Sequence, residues 1–178
     1  MDSTSDTSSM QRAKRPRSAL AGLYGHPIHP ILVTIPIGAW VSSLVFDVAA
    51  QTTDRPAAFA TGSNWLIGIG ILGAVAAAIF GAIDFTTLDK GTRAYTMGLT
   101  HLAINSVVLV LYVVNYLLRR SQGYDDVSAG AIVLSVIALA MLGVSGWLGG
   151  KLSYRYGVRV ADEGTQAEGF GGSAARTP

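Results

Sequence analysis

The 178-residue sequence is half hydrophobic, only 13% of its residues are charged, and its mean hydropathy is +0.42. This composition is too apolar for an ordinary soluble domain of the same length. The net charge is +2 and the pI is about 9.0, but the basic residues flank apolar stretches and form no stripe, which argues against a nucleic-acid partner. The chain has no cysteine, which excludes disulfides, thiol catalysis and thiolate metal ligands.

The first 21 residues precede any apolar stretch. They begin with the polar run MDSTSDTSS and continue with a group of basic residues. A segment without a periodic apolar face cannot bury enough surface to fold alone, and basic residues next to a membrane segment favour anionic lipid. We therefore predict a disordered basic tail over residues 1–21.

Four apolar stretches follow, each long enough to cross a hydrocarbon layer of about 30 Å as a helix. None of them contains lysine or arginine. The connections between them are short, which favours antiparallel neighbours. The predicted fold is all-α: a four-helix up-and-down bundle within a membrane domain of residues 22–160, followed by a disordered tail over 161–178. The predicted spans are about 29–50, 64–83, 98–118 and 129–150.

The basic residues are distributed unequally between the two predicted membrane sides. Ten lie in the two tails and in the loop between spans two and three, and three lie on the opposite side. The positive-inside rule then places both termini in the cytoplasm. The ten are Arg12, Lys14, Arg15, Arg17, Lys90, Arg93, Lys151, Arg155, Arg159 and Arg176, and the three are Arg55, Arg119 and Arg120.

The three histidines of the chain are predicted to share one membrane level. His26 and His29 lie in GHPIHPILVTIPIG (residues 25–38), just before span one, and His101 lies in the first turn of span three. Asn105 is one turn deeper on the face of His101. Asp84 ends span two at the same level, where burial and the helix dipole disfavour a carboxylate that has no cationic or metal partner. The predicted partners of Asp84 are His26, His29, His101, Lys90 and Arg93.

On the other membrane side, the carboxylate of Asp47 also requires a cationic partner. Arg55, Arg119 or Arg120 could meet it as an interfacial ion pair.

Small residues in spans two and four are predicted to let helix backbones approach closely, since packing drives helix association in lipid. These include Gly70 and Gly73 in span two and Gly143, Gly146 and Gly150 in span four. Spans one and three each open with histidine and are each followed by a glycine-rich span. That pattern is a weak indication of a duplicated helical hairpin.

Three interpretations of the histidine level compete. In the first, the polar residues only fix helix positions, and the protein is a structural or accessory membrane subunit. In the second, they bind a cofactor for redox or accessory work. In the third, His101, Asn105 and Asp84 form a proton or ion relay. No G-x-S-x-G elbow, phosphate loop or dinucleotide fingerprint outside a transmembrane run is present, so hydrolytic and nucleotide chemistry find no support.

The cofactor interpretation has two versions. For a b-type haem, His29 and His101 would be the axial ligands, with Asn105 and Asp84 orienting them. For a divalent transition metal, His26, His29, Asp84 and His101 would be the ligands.

The motifs GHPIHPILVTIPIG, GAIDF around Asp84, THLAIN at 100–105 and GWLGGKLSYRYGVRV at 146–160 together resemble the bacterial membrane-protein family called domain of unknown function 2231. The resemblance covers about residues 22–160. It implies a four-span protein of the bacterial inner membrane, with the lipid bilayer as its main partner, and it implies no established activity. A redox partner or a homo-oligomer is a further expectation.

Overall fold

The computed structural model describes residues 3–123 and 125–170, and it is mostly helical. Strand β1 (Gly22–Leu23) pairs antiparallel with strand β2 (His26–Pro27) before the first long helix. A short 3-10 turn, Ala19–Ala21, precedes them. A π-helical turn, Lys151–Arg155, follows helix α6 (Ala129–Gly150), and a 3-10 turn, Glu168–Phe170, follows helix α7 (Glu163–Ala167). The elements are α1 Ser3–Lys14, β1 Gly22–Leu23, β2 His26–Pro27, α2 His29–Leu32, α3 Thr34–Thr52, α4 Pro56–Phe85, α5 Arg93–Gln122, α6 Ala129–Gly150 and α7 Glu163–Ala167.

Four helical segments are long and apolar enough to cross a membrane: His29–Thr52, Pro56–Phe85, Arg93–Gln122 and Ala129–Arg155. The four predicted spans fall within them. The helices are longer than the predictions because backbone hydrogen bonding continues into polar residues beyond each apolar stretch. Large apolar side chains are exposed along all four segments, among them Val45, Leu72, Val110 and Val133, as expected of surfaces that face lipid.

The bundle consists of two helical hairpins, α3 with α4 and α5 with α6. At its centre the ring of Trp40 stacks on that of Tyr112, with centroids 4.0 Å apart and planes 9° from parallel. Ile67, Val108 and Ala138 complete this buried core. All four long helices therefore contribute to this core.

The first helical segments of the two hairpins, His29–Thr52 and Arg93–Gln122, are related by a constant offset in the sequence. Trp40 and Tyr112 are 72 positions apart, and so are His29 and His101, and Asp47 and Arg119. Each of these pairs is in contact or faces across the bundle. Equivalent residues meet in this way when two similar units pack around an approximate two-fold axis. A duplicated hairpin would place equivalent residues together in this way, and duplication stays a prediction.

The N-terminal segment differs from the predicted disordered tail, because Ser3–Lys14 forms helix α1. The backbone N–H of Arg159 donates to the carbonyl of Ala13 at 2.9 Å, and Ser9 and Arg12 contact Asp89 in the loop after α4. These hydrogen bonds hold the pKa of Asp89 below its ordinary value. Contacts with distant parts of the chain supply the ordering that the segment's own sequence lacks.

The second predicted tail is partly helical as well, with α7 capped by Asp162, whose side chain accepts from the N–H of Thr165. Residues 171–178 of that tail lie outside the described part of the chain.

Candidate functional site

Two of the three histidines meet at one end of the bundle, which we call the histidine end. His29 begins α2, where Pro30 fits the first turn because its missing N–H would have no helical partner. Its ring lies 6.4 Å from the ring of His101 on α5, measured between centroids, and the two planes are 88° apart. The imidazoles of the two hairpins therefore face each other across the bundle.

Each imidazole is held by a backbone carbonyl of the second helix of its own hairpin. Nδ1 of His29 lies 2.8 Å from the carbonyl oxygen of Ala77, and Nδ1 of His101 lies 2.9 Å from that of Ser145. A carbonyl can only accept, so the proton is on Nδ1 in both rings. The lone pair of the neutral ring is then on Nε2.

A glycine one turn beyond each carbonyl makes room for the ring. A Cβ at Gly81 would lie 2.9 Å from Cε1 of His29, and one at Gly149 would lie 3.1 Å from Cε1 of His101. Both distances are shorter than ordinary carbon–carbon contacts. The two glycines therefore leave equivalent spaces that the two imidazoles occupy.

Asn105 supports His101, as its position one turn deeper predicts. Its side-chain amide lies 2.6 Å from the hydroxyl of Ser145, 2.9 Å from the carbonyl of His101 and 3.1 Å from Nε2 of His101. An amide nitrogen has two protons for these three acceptors. The contact with Nε2 is the longest of the three.

The structure does not assemble the four predicted metal ligands. His26 is exposed, and its Nδ1 lies 3.5 Å from the carbonyl of Tyr24 in its own loop. Asp84 is paired elsewhere. Among residues 3–123 and 125–170, no group of three or more His, Cys, Asp or Glu side chains could hold a metal ion.

Asp84 has a partner that the sequence analysis did not name. Oδ1 of Asp84 lies 2.8 Å from Nε of Arg159, and both side chains are buried. Arg159 adopts a φ of 61° and donates through Nη2 to the carbonyl of Ala21 at 2.9 Å. The depth argument missed this pair because Arg159 lies beyond the last span and only folds back to the level of Asp84 in three dimensions.

A family model described as "Predicted membrane protein (DUF2231)" matches residues 25–162. The chain belongs to this family. The match covers both hairpins, the two imidazoles and Arg159. No curated protein and no solved structure shows a significant match to the chain.

The opposite end of this DUF2231 domain contains a second buried polar group, which we call the Asp47 network. Nη1 and Nη2 of Arg119 each donate to one carboxylate oxygen of Asp47 at 2.7 Å, and the hydroxyl of Ser63 donates to the same carboxylate at 2.6 Å. Arg119 also donates through Nε to Asn115 at 2.8 Å. Arg119 was one of three predicted partners of Asp47.

The Asp47 network joins all four long helices. The amide of Asn115 donates to the carbonyl of Ala131 at 3.0 Å and to the hydroxyl of Ser135 at 2.8 Å, both on α6. Every charged group in it is paired and buried. This arrangement fixes the helices relative to one another.

Proposed function

We propose that His29 and His101 bind a haem iron between their imidazoles and that the protein carries out one-electron redox work in the membrane. The observation that supports this most is the pair of Nδ1 contacts with the carbonyls of Ala77 and Ser145. Metal-binding histidines commonly donate their second ring nitrogen in this way, which fixes the ring and directs the other lone pair at the metal.

The spacing of the two rings is compatible with one shared metal. Two ligating imidazole nitrogens, each about 2 Å from an ion, lie about 4 Å apart. The separation of 6.4 Å between centroids would allow that arrangement with the two Nε2 atoms turned toward each other. The amide of Asn105, which lies 3.1 Å from Nε2 of His101, would have to move aside for this nitrogen to bind iron.

The number of available ligands favours haem over a bare ion. Two imidazoles are too few for the four-ligand sites that zinc and similar ions prefer. A haem would need only His29 and His101 from the protein, and when bound it would supply reversible one-electron transfer. The role of Asn105 is to orient His101 through its contacts with the histidine backbone and with Ser145.

We also propose that the histidine end faces the cytoplasm of a bacterium, with both termini inside. The excess of basic residues in the tails and in the loop after α4 supports this orientation.

The test of haem binding is the absorption spectrum of the full chain, purified in mild detergent from cells supplied with a haem precursor. We expect a Soret band and a further band after reduction, with absorbances that correspond to about one haem per chain. The His29→Ala variant and the His101→Ala variant should each lose most of the bound haem. His26→Ala is the matched control and should keep it, because His26 is exposed on strand β2, away from the imidazole pair.

Three results would contradict the proposal. The first is a folded, monodisperse wild type that stays colourless after haem reconstitution. The second is equal haem content in all three histidine variants. The third is a stoichiometric metal by elemental analysis without a Soret band, which would indicate a bare ion. If His101→Ala only lowers thermal stability and composition is unchanged, the histidines have the structural role.

A further inference from the structure

A groove on the outside of the second hairpin lies at the histidine end, between the first turns of α5 and the end of α6. Its volume is about 410 Å³. One wall consists of residues 91–93, Thr96, Met97 and Thr100, and the other consists of Leu148 and Tyr156. The lining of the groove includes neither of the two imidazoles.

The groove divides into an apolar part and a polar part. Met97 and Leu148 supply apolar surface. The hydroxyls of Thr92, Thr96 and Thr100 donate to carbonyls of the preceding turn, at 2.8, 3.3 and 3.0 Å. They form a polar wall whose protons are already engaged, so the side-chain donors left for a ligand are the guanidinium of Arg93 and the phenol of Tyr156.

The charge of the groove is positive. No acidic residue lines it, and Arg93 takes part in none of the ion pairs found among the described side chains. An exposed arginine next to hydroxyls and apolar surface suits an anionic group with an apolar attachment.

The level of the groove along the bundle matches the lipid headgroups. Lys151 lies over the exposed ring of Trp147, with Nζ 3.7 Å from the ring centroid. Tryptophan and lysine at the end of a span commonly mark the boundary between hydrocarbon and headgroup. Leu148 of the groove is the next residue after Trp147, so the groove opens at that boundary.

We propose that this groove binds the phosphate headgroup of one anionic phospholipid, with Arg93 as the charged contact and Met97 and Leu148 against the upper acyl chain. This lipid binding does not depend on the haem proposal, because neither His29 nor His101 lines the groove. It gives the bundle a preferred lipid at the histidine end.

The experiment is native mass spectrometry of the full chain released from nanodiscs that contain phosphatidylglycerol and phosphatidylcholine. We expect one retained phosphatidylglycerol in the wild type and about tenfold weaker retention in Arg93→Gln, the loss expected for one charged hydrogen bond. Arg93→Lys should recover part of it. Arg120→Gln is the matched control, because Arg120 lies at the other end of α5, and its retention should stay within about twofold of the wild type.

Two outcomes would overturn the proposal. One is equal phosphatidylglycerol retention by Arg93→Gln and Arg120→Gln, whether both fall or neither does. The other is calorimetric binding of inorganic phosphate to protein in phosphatidylcholine nanodiscs that depends on Arg93 and displaces no lipid, which would make the groove a site for free phosphate.

Discussion

At the scale of single residues, the Asp47–Arg119 pair shows how a charged group is tolerated inside the bundle. Both side chains are at most 5% exposed, and removing two charges from water is expensive. The bidentate contact, together with donors from Ser63 and the acceptor of Asn115, satisfies the lone pairs and protons that burial would otherwise strand. The pair is stable only as a complete unit.

Breaking this unit should destabilise the protein strongly. We expect Arg119→Met to lower the free energy of unfolding by about 3–5 kcal/mol, because it leaves the Asp47 carboxylate buried without a partner. Reversible unfolding in detergent measures the change. The double variant Asp47→Leu, Arg119→Met should recover most of the loss, and Arg120→Met, at an exposed position of the same helix, should change little. A single variant as stable as Arg120→Met would disprove this account.

The sequence located part of each site at this scale. Depth along the spans predicted that His29 and His101 share one level with Asn105 one turn deeper, and it included Arg119 among the partners of Asp47. Depth did not predict Arg159, because the position of a segment beyond the last span depends on how it folds back onto the bundle.

At the scale of elements, composition predicts the helices but not the face that each glycine occupies. The sequence analysis assigned packing roles to small residues in both spans two and four. The structure distinguishes them: a Cβ at Gly70 would lie 2.2 Å from Nε1 of Trp40, whereas one at Gly143 would have nothing within 4 Å. The packing prediction therefore holds for Gly70 and fails for Gly143, Gly146 and Gly150, whose added Cβ atoms would meet no neighbour among residues 3–123 and 125–170.

This difference gives a matched pair of substitutions. Gly70→Ala should destabilise the bundle by about 1–3 kcal/mol, because the methyl group must displace the indole ring that stacks on Tyr112. Gly143→Ala makes the same chemical change in open space and should be neutral or slightly stabilising. Unfolding midpoints of the two variants in one detergent provide the comparison, and equal midpoints would contradict the packing of Trp40 against Gly70.

At the scale of the whole molecule, the 72-residue offset determines which residues meet at each end of the bundle. The uneven distribution of basic residues bears on the orientation of the bundle in the membrane. The constant 72-residue offset pairs His29 with His101 and Asp47 with Arg119, so one end of the approximate axis has two imidazoles and the other has an ion pair. The basic residues concern which of these ends faces the cytoplasm.

The proposed orientation is testable because the chain has no cysteine of its own. Thr86→Cys lies at the histidine end and Ser121→Cys at the opposite end, both at exposed positions. With a membrane-impermeant maleimide on intact spheroplasts, we expect labelling of the Ser121 variant and labelling of the Thr86 variant only after permeabilisation. The reverse pattern would invert the orientation.

The sequence by itself determined the number of spans, their approximate limits, the antiparallel order and the family, because apolar length and loop length are local properties. Only the tertiary structure decided the rotation of each helix about its axis. That rotation turns His29 and His101 toward each other. It leaves His26 exposed and brings Asp84 into an ion pair with Arg159. A helix buries one face whatever its depth, and the choice of face depends on contacts between residues far apart in the chain.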